Sequence, residues 1–195
     1  MHRDIKPANI CVEISSSSQQ HLSSEAQLRF TIIDLGAAVS IEPVTSDPIE
    51  STEGFLGQFK SLSGLKLPLG TVSYMSPEHI DDDRTVDGRS DVFSFGVTMY
   101  YCLCRRFPFI QPKGFKDDRR LALKLMFCFT TVKEATPLDL CIGDVHPRAR
   151  EELTAIVMKS LRKSPKKRYN TACDMRNHVK RIGRYRMNVV CHIRQ

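Results

Sequence analysis

The sequence predicts an α+β fold, mainly α-helical, with one small β-hairpin near its start. Two short apolar, β-branched stretches fall within the first 33 residues, Ile10–Ile14 and Leu28–Ile33, a composition that suits paired strands. Beyond residue 88 the apolar residues recur at helical spacing. Ser90–Cys104 is apolar or small on nearly all sides, as a helix buried in the middle of a domain must be. At 195 residues with no internal repeat, the chain is long enough for one domain around one core.

In chain order, residues 2–9 read as a loop, and the strand Ile10–Ile14 follows. Ser15–Ser24 is rich in Ser and Gln and has no apolar periodicity, so it reads as an insertion that lengthens the hairpin turn. The strand Leu28–Ile33 completes the hairpin. Asp34–Glu78 carries Gly, Pro, Ser and Thr throughout and reads as a loop of a length that is usually functional. Ser90–Cys104 is the central helix, and Asp118–Phe129 a second, more amphipathic one. His146-Pro147 opens a third, to about Arg162, with proline in the first turn, where its missing N–H costs nothing. Asn170 or Thr171 caps a fourth, which ends near Gly183.

Composition narrows the class. Hydrophobic residues make up 41 % and charged residues 26 %, which excludes collagen, a long coiled coil and wholesale disorder. The longest apolar run, around Val97–Leu103, is far short of the roughly 18 residues that span a bilayer, so no membrane span is expected. His2, Arg3 and Asp4 directly follow the first Met, which is not a signal-peptide pattern. The seven cysteines are odd in number and scattered, with only Cys102 and Cys104 close together. One pair is too few for a zinc cage, so they read as reduced thiols in a cytoplasmic or nuclear compartment. The net charge of +7 is uneven. Residues 159–195 hold twelve Lys or Arg against one acid, Asp174, a net +11 that leaves −4 for the rest. Met175, Val179 and Ile182 interleave with those cations, as on the solvated face of a helix. No nucleic-acid motif accompanies them, and nucleic acid is not expected as a partner.

The chemistry lies in four motifs. His2-Arg3-Asp4-Ile5-Lys6-Pro7-Ala8-Asn9 resembles the catalytic loop of protein kinases, H-R-D-L-x-x-x-N, and its Lys-Pro-x-Asn ending resembles the serine/threonine branch. Asp34-Leu35-Gly36, just after the second strand, is similar to the kinase D-F-G with Leu in place of Phe. Gly70-Thr71-Val72-Ser73-Tyr74-Met75-Ser76-Pro77-Glu78 resembles the end of an activation segment, with Ser76-Pro77-Glu78 standing for A-P-E. Asp87-Gly88-Arg89-Ser90-Asp91-Val92-Phe93-Ser94-Phe95-Gly96 resembles the start of the kinase central helix, with Phe93 where Trp or Tyr is usual. The motifs follow the family order to about Ile182, and Lys6-Pro7 disfavours a tyrosine kinase.

The resemblance implies a partial kinase domain over residues 1–184, followed by a basic tail, 185–195. It consists of the catalytic loop 2–9, the activation segment 34–78 and a helical C-lobe 79–184. It also implies ATP and Mg2+ as cofactors and protein Ser/Thr hydroxyls as substrates. Asp4 would orient the acceptor hydroxyl and take its proton, and Lys6 would steady the γ-phosphate. Asn9 and Asp34 would hold magnesium, with Lys6, Asn9 and Asp34 together forming the nucleotide contacts of this lobe. Thr71 would touch Asp4 and Lys6. Glu78 would pair with Arg168, and Asp91 would brace the catalytic-loop backbone, all three as structural residues; His2 would be structural as well. Arg3, preceding the catalytic Asp, implies phosphorylation of the activation segment, with Thr45, Ser46, Ser51, Thr52, Ser61 and Ser63 as candidate acceptors.

A kinase also needs a small lobe, with a Gly-rich loop over the phosphates and a strand lysine. No G-x-G-x-x-G occurs in the 195 residues, and only Met1 precedes His2. The expectation is therefore a fragment of a serine/threonine kinase, inactive alone, whose central helix exposes an apolar side. The alternative is a catalytically dead, kinase-like binding or scaffold module.

Overall fold

The computed structural model describes residues 1–15, 27–38, 69–80, 86–109, 128–138 and 146–182. The opening loop closes in a 3-10 turn, Pro7–Asn9, where the Asn9 amide donates to Lys6 O at 3.0 Å. Two antiparallel strands follow, β1 (Ile10–Ser15) and β2 (Gln27–Ile32). Their register pairs Ile10 with Ile32, Val12 with Phe30 and Ile14 with Leu28. Side chains alternate along a strand, so these six share one face, and Cys11, Glu13, Arg29 and Thr31 share the other. The Ser- and Gln-rich insertion lies outside the described residues from 16 onward.

The described ends of the long segment 34–78 depart from a pure loop. Two single-turn helices stand there, α1 (Leu69–Val72) and α2 (Pro77–Ile80). One helical turn is too short for apolar periodicity to register, although Pro77 suits a first turn.

The central helix α3 (Gly88–Cys104) starts two residues earlier than expected, because Asp87 caps it. The Asp87 carboxylate accepts from the Arg89 amide at 2.8 Å, satisfying one of the donors a helix start leaves orphaned. The helix stops at Arg105, whose φ of 54 is left-handed and whose amide returns to Tyr101 O at 2.8 Å. Of the expected amphipathic helix at 118–129, all but the end lies outside the described residues; residues 128–132 are helical. Helix α4 (Pro147–Ser160) begins after His146, whose ring accepts from the Arg148 amide. Helix α5 (Ala172–Ile182) opens with a reciprocal cap. The Asp174 amide donates to Thr171 Oγ1, and the Thr171 amide donates to Asp174 Oδ2, both at 3.0 Å. The capping box selects Thr171 over Asn170 as the start.

Helix α3 feeds two clusters. Val92 packs with Leu153 and Ile156 of α4 and Met175 and Ile182 of α5. Its neighbour Phe93 joins Val97, Tyr100, Phe109, Val157 and Leu161. A helix apolar on both sides can serve two clusters, which is why Ser90–Cys104 shows no polar stripe. Gly96 lets α3 and α4 approach: a Cβ there would lie 2.7 Å from Ser160 Cβ. The apolar hairpin face stays outside both clusters, and Val12, Ile14, Leu28 and Phe30 are 51, 64, 52 and 63 % exposed. With Phe95, Met99 and Cys102 of α3, that face lines an apolar cavity of about 600 Å3.

Candidate active site

Three elements meet around the opening loop: the base of the hairpin, the turn α1 and the first turn of α3. The loop is held from below by Asp91. Its two carboxylate oxygens accept from the consecutive amides of His2 (2.7 Å) and Arg3 (2.8 Å). A carboxylate taking two amides is a charge-assisted clamp. It coincides with a left-handed φ of 69 at Arg3, a conformation that costs a non-glycine residue on the order of 1–3 kcal/mol and clusters at functional sites. The His2 ring ties the loop to the hairpin. Its Nδ1 accepts from the Asp4 amide at 3.3 Å, which leaves Nε2 to donate to Ile33 O at 3.2 Å.

Asp4, Lys6, Asn9 and Thr71 form one hydrogen-bonded group. Asp4 Oδ2 accepts from Lys6 Nζ at 2.7 Å and from Asn9 Nδ2 at 3.0 Å. The Asn9 amide group also donates to Asp4 O at 2.9 Å. Lys6 Nζ donates in turn to Thr71 Oγ1 at 3.1 Å, across 65 residues of sequence. Asn9 is buried, and Asp4 and Lys6 are partly so. This arrangement commits one oxygen of Asp4 and turns the Asn9 amide nitrogen inward, so Asp4 Oδ1 and Asn9 Oδ1 are the atoms not engaged by these contacts.

Asp34 is carried to the same place by the hairpin. The Ile33 amide donates to Asn9 O at 2.9 Å, which sets Asp34 one residue beyond the base of the ladder. Asp34 is exposed and left-handed, with φ 65, a region Asp tolerates better than most residues. Its carboxylate accepts from the Gly36 amide at 3.3 Å. No bond joins that carboxylate to Asp4, Lys6 or Asn9 among the described residues.

Arg3 is the unsettled cation. Burial lowers its pKa, and the charge of Asp91 opposes that shift. Its buried Nε has no hydrogen-bond partner among the described residues. The candidate phosphoacceptors Thr45, Ser46, Ser51, Thr52, Ser61 and Ser63 lie outside the described residues. His79, which sequence reasoning did not single out, is buried close by. Burial holds it below the usual imidazole value, Arg3 adds to that, and Glu78, Asp91 and Asp4 pull the other way. Tyr74, pushed up to about 12 chiefly by burial, packs edge-on to Phe107.

The floor under α2 is an ion pair. Arg168 meets Glu78 with two parallel contacts, at 2.6 and 2.8 Å. A second contact, unforeseen, joins the hydroxyls of Ser76 and Ser90 at 2.6 Å. Two facing serines in a buried position carry no signature that a sequence can show.

A family model, the protein kinase domain, matches residues 1–179. The chain belongs to the protein kinase family. This kinase chain is similar to serine/threonine-protein kinase PknB of Mycolicibacterium smegmatis, 31 % identical over 183 residues, covering 93 % of the chain and 23 % of that protein. The proteins of the same name from Mycobacterium leprae and Mycobacterium tuberculosis are 29 and 28 % identical, again covering 93 % of the chain and 23 % of each relative. The chain thus spans about a quarter of the length of the curated relatives it matches. No helix among the described residues of the kinase chain is long and apolar enough to cross a membrane.

Proposed function

We propose that this chain carries the phosphoryl-transfer half of a protein serine/threonine kinase, which moves the γ-phosphate of ATP to Ser or Thr hydroxyls of proteins. The observation that carries this reading is Lys6 bridging Asp4 and Thr71. Phosphoryl transfer depends on positioning and charge neutralisation more than on covalent chemistry. Asp4 would receive the acceptor hydroxyl at Oδ1, orient it and take its proton. Lys6 would lie beside the transferred phosphate and offset its charge. Thr71, bonded to Lys6, would fix the floor on which a Ser- or Thr-bearing peptide rests.

The donor set fits magnesium. Asp34 offers an exposed carboxylate and Asn9 an amide oxygen, both hard donors. No group of three His, Cys, Asp or Glu side chains stands ready as a cage among the described residues. Mg2+ is ordinarily held by one or two protein oxygens, with phosphates and water completing the shell. Asn9 and Asp34 would hold it, and it would supply positive charge to offset that of the ATP phosphates.

Arg3 supports a regulated enzyme. A buried guanidinium nitrogen without a hydrogen-bond partner suits a phosphate arriving on a Ser or Thr of the segment 34–78. Phosphopeptide mapping of active enzyme should find such a phosphate, and fully active enzyme with none would remove this part of the reading.

No G-x-G-x-x-G occurs among the 195 residues to cover the phosphates, so the chain by itself is proposed to be inactive. The test is phosphate transfer from labelled Mg-ATP to Ser and Thr peptides by the protein made from the whole coding frame. Transfer is expected, and Asp4→Asn should lower it roughly 10²–10⁴-fold. No transfer by that protein, with peptide binding intact, would favour a second reading, a kinase-like binding module. The observation favouring that alternative is the exposed apolar hairpin face, an unusual surface for a free-standing domain.

A further inference from the structure

Lys163 belongs to none of the motifs, yet it closes a ring of contacts behind the active site. Its Nζ sits 3.7 Å from the centre of the Phe109 ring and donates to Thr130 O at 2.5 Å. Phe109 stacks on Phe93, with centroids 5.9 Å apart and planes 4° apart. Phe93 lies 4.8 Å from the guanidinium carbon of Arg168. Arg168 returns to the start, because its Nη2 donates to Lys163 O at 2.8 Å. Two cations thus bracket a stacked aromatic pair, and one of them is the partner of Glu78.

The lysine brings a separate stretch of chain to this ring. Thr130 is buried, so its carbonyl needs a donor that water does not supply. The far end of residues 128–138 is held elsewhere: the Thr136 amide donates to Pro108 O at 2.8 Å, and Tyr100 donates to Pro137 O at 3.4 Å. The near end is held by the Lys163 side chain. The charges that face that side chain are Glu134 from the same stretch and Arg168.

We propose that Lys163 is a positioning residue: its side-chain donor straps residues 128–138 to the contact ring behind Glu78, and so keeps α2 seated against the Asp4 loop. The importance of α2 for a phosphoacceptor rests on the kinase reading, while the strap itself does not. Charge alone is not what the strap needs. A neutral amine still donates to Thr130 O, whereas a methionine of similar length does not.

Hydrogen exchange on the 195-residue chain separates these cases, because it follows local opening and needs no catalysis. With Lys163→Met, amides in 128–138 and 76–80 are expected to exchange about tenfold faster or more, with α4 and α5 near their original rates. Lys163→Arg, which restores a donor and a flat cation over the ring, should bring both stretches back to within about threefold. Unchanged rates in Lys163→Met, or an equal rise in every element, would overturn the proposal. If Lys163→Met does not fold, Lys163→Arg decides alone: a folded Arg variant that has lost protection at 128–138 overturns it, and one that keeps it supports it. None of these outcomes depends on kinase activity, so the strap can fail while the kinase reading stands, and the reverse.

Discussion

Glu78 and Arg168, ninety residues apart in sequence, meet in a two-pronged ion pair whose fork has no idle donor. Nη1 serves Glu78 Oε1 and Arg89 O, Nη2 serves Glu78 Oε2 and Lys163 O, and Nε serves Arg162 O. A guanidinium has five N–H groups, and all five are used. The Arg168 side chain is 0 % exposed, so the desolvation cost is large, and this complete set of partners is what offsets it.

Removing one partner should therefore be severe. Glu78→Ala leaves a buried cation without its counter-charge and is expected to cost about 3–5 kcal/mol. Arg168→Lys should also destabilise, since a single ammonium cannot serve carboxylate and carbonyls in the same geometry. Urea denaturation measures both. A loss below about 1 kcal/mol for Glu78→Ala, the range of an exposed pair, would show that the contact carries little.

The close approach at Gly96 gives a second expectation. Gly96→Ala places a methyl against Ser160 Cβ, 2.7 Å away, and should destabilise by about 1–3 kcal/mol through overpacking. Ser160→Gly removes the obstacle. Its cost in the Gly96→Ala background should be smaller than in the wild type, and additive losses would place the strain elsewhere.

The buried hydroxyl pair Ser76 and Ser90 should behave as a unit. Either Ser→Ala alone strands the other hydroxyl and is expected to cost about 1–3 kcal/mol. The double variant should cost less than the sum of the two. A double-mutant cycle with no coupling would mean that each hydroxyl is satisfied without the other.

Lys163 predicts a pH dependence. Its folded pKa is lowered from 10.5 to about 8, first by burial and then by Arg168, with Glu134 opposing. The unfolded chain holds this proton more tightly, so between those two values unfolding takes up a proton and stability rises with pH. Above the window the contribution is fully present, and it is lost as pH falls through the folded value. Melting temperatures from pH 7.5 to 10 should climb in the wild type relative to Lys163→Met. Parallel curves would show that Lys163 titrates as an exposed lysine does.

What the sequence reveals here depends on how local the signal is. The hairpin strands, α3, α4 and α5 announce themselves through β-branched runs, helical spacing and caps, and their ends fall within about two residues of expectation. The Glu78–Arg168 and Asp91 contacts are legible only because motifs in family order name the partners. The turns α1 and α2 are too short to leave a period. The Lys163–Phe109–Phe93 contacts join residues whose sequence neighbours give no hint of them, since a cation over a ring needs only two ordinary side chains brought together by the tertiary fold. Nor does the apolar hairpin face differ, residue by residue, from a strand packed in a core.

The hairpin also suggests where the chain could be cut open. Asn9 and Asp34 are brought together at the base of β1 and β2, by the Ile33 amide on Asn9 O and the Ile10–Ile32 pairing. The Ser15–Gln27 pair stands at the opposite end of the ladder. Closure cost grows only with the logarithm of loop length, about 0.6 kcal/mol per doubling. A fluorescent reporter or an affinity handle spliced into the sequence after Ser15 and before Gln27 would thus leave the base in register. The hairpin would then serve as an attachment port for watching the site from within the chain.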